Sequence, residues 1–263
     1  MKENKLRNLL KEGKPTIGTR MWSTLPFFTE AVGATGLYDY IEFVAEYAPF
    51  TLYDFDNLCM ACELHGMGSM IKLDYQNRGY FAQKAIQSGF QSVMFTDCRN
   101  ADEVRESLKM ITPETEQEGG TFGYANRRYI GFQPRISQSA HAQRQRDIVV
   151  SLMIEKKAAI DSIDEICSVP GVDMVQFGPS DYSLSRGWDV KDHIDETKEA
   201  ERYMIKTALA HGVRPRCEMQ NPEDARYYMN LGVKDFCMGD QMWKLMASWS
   251  RDGEAIRDII KSL

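Results

Sequence analysis

The chain is 263 residues long, with 43% hydrophobic and 27% charged residues, enough for one large α/β domain, or two small ones, with a sizeable core. Its net charge of -6 excludes a nucleic-acid surface, which needs a clustered excess of Lys and Arg, and a local basic run such as Arg127-Arg128 is too short to supply one. The charged start Met1-Lys2-Glu3-Asn4-Lys5 lacks the apolar core of a secretory signal, and no stretch approaches bilayer-spanning length, so a cytoplasmic protein without membrane contact is expected. Six scattered cysteines suit a reducing compartment, and Cys59-Met60-Ala61-Cys62 lies in a helical pattern with no second pair to make a zinc or redox motif.

Strand patterns alternate with helix-period segments along the chain. Thr16–Met21 leads to a helix over about 26–35, Tyr40–Tyr47 to one over 51–65, and Ser69–Leu73 to one over 78–88. Ser92–Asp97 precedes Asn100, a good N-cap with a carboxylate three residues on. Ile148–Glu155 leads to a helix over about 158–168, Met174–Gly178 to one over 195–211, Arg214–Met219 to one over 222–231, and Asp235–Gly239 to the C-terminal helical region. Eight such units predict a single closed (β/α)8 barrel over 1–263. An open doubly wound sheet is the weaker choice, because no G-x-G-x-x-G or Walker-type motif sits at a strand–helix junction.

The segment 112–146, which includes Gly119-Gly120 and Tyr124-Ala125-Asn126-Arg127-Arg128-Tyr129, interrupts the regular spacing. It reads as a long insertion after the fourth strand, overhanging the C-terminal face as a lid or subunit contact and helping to read the substrate. The last segment carries Trp243, Leu245, Met246, Trp249, Ile256, Ile259 and Ile260, which is more apolar than a closing surface helix needs. Core packing and exchange of the helix between subunits are both open.

Barrel chemistry sits at the C-terminal ends of strands. Glu155 and Asp181 end the fifth and sixth strands, so two hard oxygen ligands would converge at the mouth and suit Mg²⁺ or Mn²⁺. Zinc would call for His or Cys, and none of His65, His141, His193 or His211 falls at a predicted strand end. The alternative is that each carboxylate caps its following helix or pairs with Lys156. Glu46, Asp97, Gln176 and Glu218 are further polar groups at predicted strand ends.

The stretches Gly18-Thr19, Ala45-Glu46-Tyr47-Ala48-Pro49, Met153-Ile154-Glu155, Gly171-Val172-Asp173 and Phe177-Gly178-Pro179-Ser180-Asp181-Tyr182-Ser183 together resemble the HpcH/HpaI aldolase and citrate lyase family of metal-dependent pyruvate aldolases. The resemblance runs nearly full length, and G-P-x-D-x-S is its most specific part. It implies a phosphoenolpyruvate/pyruvate-type barrel with a swapped last helix, assembled as a homo-oligomer, hexamer or trimer. It implies Mg²⁺, Mn²⁺ or Co²⁺ on Glu155 and Asp181, a small 2-oxo acid chelating that ion, and retro-aldol cleavage to a pyruvate enolate. Gly178, Pro179 and Ser180 would receive the substrate carboxylate through backbone amides.

The chain departs from the family pattern at two places. The family's D-G-E-H-A-P reads Val44-Ala45-Glu46-Tyr47-Ala48-Pro49 here, so Tyr47 stands at the His position and Val44 at the Asp position. Tyr47 is then the candidate acid or base, although a phenol near pKa 10 is a poor base unless a nearby cation or metal lowers it. The family's enolate-stabilising arginine falls on Lys72, which keeps the charge but not the bidentate fork, and Arg20 could supply a guanidinium instead. The expected function is an aldolase-type carbon–carbon lyase. A decarboxylase, hydrolase or synthase on the same metal–enolate site is the alternative, and a catalytically inactive binding barrel is a third.

Overall fold

The computed structural model describes residues 3–125, 127–133, 135–261 and 263. Met1 and Lys2 of the charged start, and Asn126 and Pro134 of the 112–146 segment, lie outside the described residues. Eight parallel strands close on themselves in chain order: β1 (Thr16–Met21), β2 (Tyr40–Val44), β3 (Gly68–Leu73), β4 (Ser92–Phe95), β5 (Val149–Ile154), β6 (Met174–Phe177), β7 (Arg214–Met219) and β8 (Asp235–Asp240). The helices are α1 (Lys5–Lys11), α2 (Pro26–Ala34), α3 (Leu52–Leu64), α4 (Arg78–Ser88), α5 (Ala101–Lys109), α6 (Gln138–Arg146), α7 (Lys157–Asp161), α8 (Ile163–Cys167), α9 (Pro179–Ser185), α10 (Ile194–Ala210), α11 (Asp224–Asn230) and α12 (Gln241–Ile260). The protein is a (β/α)8 barrel, and no helix among the described residues is long and apolar enough to cross a membrane.

Local chemistry starts and stops these elements where the sequence marks them. Asn100 caps α5 by accepting the Glu103 N–H at 3.0 Å, and Thr51 with Asp54 forms a reciprocal capping box on α3. Gly89 ends α4 at φ 118, a backbone conformation that a side chain would strain. The helix expected over 158–168 is instead two short ones, broken where Ser162 adopts φ -106 and ψ 14.

Alternation along the strands sorts side chains into two regions. Ile41, Phe43, Ile71, Val93, Leu152 and Val175 face the helices and form the main core. Tyr40, Met70, Met94, Val149, Met153 and Met174 form a second, interior cluster with Leu6 of α1. Helix α1 holds to the N-terminal ends of the strands: Asn4 donates to the carbonyls of Gln91 and Asp147, and Arg7 pairs with Asp173. Further along the interior, toward the C-terminal ends, apolar residues give way to charge. Glu42 and Arg216, both 0% exposed, pair at 2.6 Å, and Arg216 also donates to the Tyr40 hydroxyl at 2.7 Å.

Two expectations change. The 112–146 segment follows α5 rather than β4, so it joins a helix end to the start of β5 and lies at the N-terminal face. Arg128 confirms that location by pairing with Glu63 at the end of α3 and donating to the Ser88 carbonyl at the end of α4. The segment is therefore no lid over the mouth and does not read the substrate there. Core packing of the last helix is also overturned, because no described residue of α12 is buried and Trp243 and Trp249 are 59% and 66% exposed.

Candidate active site

The site begins at the ends of β5 and β6. Ile154 stands beside Phe177 in the ladder, and the Gly178 N–H donates to the Ile154 carbonyl at 3.0 Å, which sets Glu155 against Gly178. A Cβ on Gly178 would lie 2.7 Å from the Glu155 Cβ, so glycine is what lets the two chains approach. Glu155 is 2% exposed, and one of its carboxylate oxygens accepts the Asp97 N–H at 3.0 Å, an amide presented by Asp97 at φ 60. Burial, only partly offset by Lys72 and the Asp97 amide, pushes the Glu155 pKa up to about 7. Asp181 follows in the first turn of α9.

Strands β2 and β3 bring the cation. Val44 pairs with Lys72, and the Glu46 N–H donates to the Lys72 carbonyl at 3.1 Å. The Lys72 ammonium, 5% exposed, meets the Glu46 carboxylate at 2.5 Å. Burial works against its charge, but Glu155 and Glu46 outweigh that and raise its pKa, so Lys72 stays protonated. Its Nζ lies 5.1 Å from the centre of the Tyr47 ring, and that ring stacks on Trp22 at 5.9 Å and 16°.

Tyr47 is 55% exposed, and in the metal-free protein its partial burial first, then the charges of Glu46, Asp181 and Glu155, raise the pKa of its phenol. Arg20 is not a free guanidinium: its Nη2 pairs with Glu218 at 2.6 Å and Asp240 at 3.0 Å. The amides expected to receive a substrate carboxylate narrow as well. Gly178 has spent its N–H on Ile154 and Pro179 has none, which leaves the amide of Ser180.

These residues share one cavity of about 630 Å³, lined among others by Arg20, Tyr47, Lys72, Glu155 and the run Gly178-Pro179-Ser180-Asp181. Beside it, carboxylate oxygens of Glu46, Asp97 and Glu155 lie within 4.8 Å of one another. The Lys156 ammonium reaches across, 2.6 Å from Asp97 and 3.6 Å from Asp181. An all-oxygen donor set of this kind, with no histidine lining the cavity among the described residues, fits a hard divalent cation such as Mg²⁺ or Mn²⁺ and not zinc. Asp181 is not one of the tight group, although it shares Lys156 with Asp97, so the structure brings Glu155 closer to Glu46 and Asp97 than sequence reasoning expected.

Sequence reasoning missed the Glu42–Arg216 pair. Its signal was a charged residue at the central inward position of both Tyr40–Val44 and Arg214–Met219. Cys59 and Cys62 are both buried with thiol pKa values driven up by burial, which removes a redox role for C-x-x-C.

The profile of the HpcH/HpaI aldolase/citrate lyase family matches residues 30–225. The chain is 23% identical over 241 residues to a 5-keto-4-deoxy-D-glucarate aldolase of Enterobacter sp. (strain 638), covering 91% of each. It is 27% identical over 186 residues to a 2-keto-3-deoxy-L-rhamnonate aldolase of Escherichia coli O17:K52:H18 (strain UMN026 / ExPEC), covering 70% of this chain and 67% of that one. Among solved structures, the HpcH/HpaI aldolase from Desulfitobacterium hafniense DCB-2 superposes with a TM-score of 0.88 at 20% identity, covering 97% of both chains. With its closed eight-stranded barrel and a family match over residues 30–225, the chain belongs to the HpcH/HpaI aldolase/citrate lyase family and is a lyase.

Proposed function

We propose that the protein is a metal-dependent carbon–carbon lyase that cleaves, or in reverse forms, a small 4-hydroxy-2-oxo acid by way of a pyruvate enolate. The observation that carries this reading is Glu155: a carboxylate 2% exposed at a strand end, grouped with Glu46 and Asp97 and sharing its cavity with Asp181. Glu155 and Asp181 would hold the ion, Mg²⁺ or Mn²⁺ and also Co²⁺, with Glu46 and Asp97 adding negative charge around it. When bound, the cation supplies Lewis-acid charge that polarises the 2-oxo group and offsets the negative charge of an enolate.

The residues around it bind and orient. The Ser180 amide at the start of α9 meets the substrate carboxylate. Lys72, kept charged by Glu46 and Glu155, adds positive charge on the enolate side, while Glu46 fixes its position. Arg20, tied to Glu218 and Asp240, shapes the wall more than it supplies a mobile guanidinium. Tyr47, as a phenol, is suited to donate to the new oxygen in the condensation direction.

Tyr47 and Val44 stand where the family pattern has a His and an Asp, so the base for the hydroxyl proton that retro-aldol cleavage must remove is less well supplied than in that pattern. That favours a second reading for the same site, decarboxylation of a 2-oxo acid such as oxaloacetate, which needs no such base. The exposed apolar face of α12 supports assembly as a homo-oligomer, hexamer or trimer, with the last helix covered by a neighbouring subunit, and light scattering in solution measures it. The free state of all six cysteines supports a cytoplasmic setting.

The deciding experiment measures pyruvate release from a panel of 4-hydroxy-2-oxo acids with Mg²⁺, Mn²⁺ or Co²⁺ and after chelation. Metal-dependent release supports the lyase. Decarboxylation of oxaloacetate without any aldol cleavage selects the second reading, and the absence of both, in either direction, refutes the proposal.

A further inference from the structure

The charges around the cavity are not balanced evenly. Among the described residues that line it, five are acidic, Glu155, Asp181, Glu201, Glu218 and Asp224, and three are basic, Arg20, Lys72 and Lys198. Glu155 and Asp181 belong to the ion, Arg20 is matched by Glu218, and Lys72 is matched by Glu46. What remains for the rest of a substrate is Glu201 and Asp224 against Lys198 alone. Lys198 stands near Glu201, whose carboxylate also accepts the Tyr228 hydroxyl at 3.1 Å. The lining also presents apolar surface in Val190 and Ile194, which are 37% and 48% exposed.

From this lining we infer that the protein selects 2-oxo acids whose distal half is uncharged, so that the aldehyde released or accepted is neutral and apolar-tipped. Among the described residues, the wall sets two carboxylates, Glu201 and Asp224, against the single cation Lys198, so a distal carboxylate meets net negative charge, whereas an alkyl or methyl terminus would cover exposed apolar side chains. The inference rests on the enolate reading above and names the substrate class for it. In the condensation direction the new bond joins pyruvate C3 to the aldehyde carbon. The proton lost from C3 is balanced by the proton gained at the new 4-hydroxyl, and no oxidant or reductant is involved.

The test uses the full chain loaded with Mn²⁺ and pyruvate, and compares butanal with succinic semialdehyde, four-carbon aldehydes that differ by a terminal carboxylate. The expected result is kcat/KM at least about tenfold higher for butanal. The exposed-residue variant Asp224→Lys places a cation on the wall and is expected to move that ratio toward unity. Equal or better use of succinic semialdehyde by the unmodified protein overturns the inference. A separate reading, exchange of pyruvate methyl protons with D₂O followed by NMR, reports enolate formation alone. If exchange occurs and butanal does not react, the inference fails while the enolate reading stands. If no exchange occurs with any of the metals, the enolate reading fails and takes the inference with it.

Discussion

Glu155→Gln in the chelated protein separates the cost of the site from its use. In the folded chain Glu155 titrates at about 7 against an ordinary 4.5, because burial disfavours its charge more than Lys72 and the Asp97 amide restore it. A carboxyl with a raised folded pKa stabilises the fold fully below the unfolded value, and that contribution is lost as pH rises through the folded value. At roughly 1.4 kcal/mol per unit of separation, the metal-free protein loses about 3 kcal/mol between pH 4.5 and pH 8 through this one group. The carboxamide that replaces it in the variant has nothing to ionise and keeps an oxygen for the Asp97 N–H. Glu155→Gln is therefore expected to match the unmodified protein near pH 5 and to exceed its stability by about 3 kcal/mol at pH 8.5. Urea denaturation in excess chelator at the two pH values measures the difference. Added Mn²⁺ should then stabilise the unmodified protein and leave the variant unchanged. A variant no more stable than the unmodified protein at pH 8.5, or a difference that does not grow with pH, refutes the account of Glu155 as a buried carboxylate kept for a cation.

Three other perturbations read different parts of the structure. Gly178→Ala puts a methyl 2.7 Å from the Glu155 Cβ, so it should cost about 1–3 kcal/mol of stability by denaturation and weaken Mn²⁺ binding by calorimetry. Arg216→Met strands Glu42 at 0% exposure and should destabilise by about 3–5 kcal/mol, with much of the loss recovered in the double variant Glu42→Leu/Arg216→Met, as urea denaturation of the set would show. Lys156→Met removes an ammonium 2.6 Å from Asp97 and 3.6 Å from Asp181, so Mn²⁺ affinity should rise about tenfold in titration calorimetry, and an unchanged affinity would show that Lys156 does not compete for those carboxylates.

Local signals carried most of the fold. Thr16–Met21 and Arg214–Met219 have the same bounds in sequence and structure, because period-two alternation and the flanking breakers are properties of a few neighbouring residues. The short helix α1 was not legible, since its helical face is read only against the strand ends it covers: Leu6 is 1% exposed there and Asn4 reaches carbonyls at Gln91 and Asp147. The 112–146 segment shows a different kind of failure. Its length was visible, but its face depends on whether it follows a strand or a helix, and it follows α5.

For the site, the sequence by itself determined that Glu155, Asp181, Lys72, Tyr47 and Arg20 reach one end of a barrel, since strand order and strand ends are enough to place them at its mouth. Only the tertiary structure decided what they do to one another. It set Glu46 and Asp97 beside Glu155, tied Arg20 to Glu218 and Asp240, paired Lys156 with both Asp97 and Asp181, and stacked Tyr47 on Trp22 with Lys72 over its ring. The physical reason is that charge, burial and pKa are fixed by atoms a few ångströms away in space, contributed by strands and loops far apart in the chain.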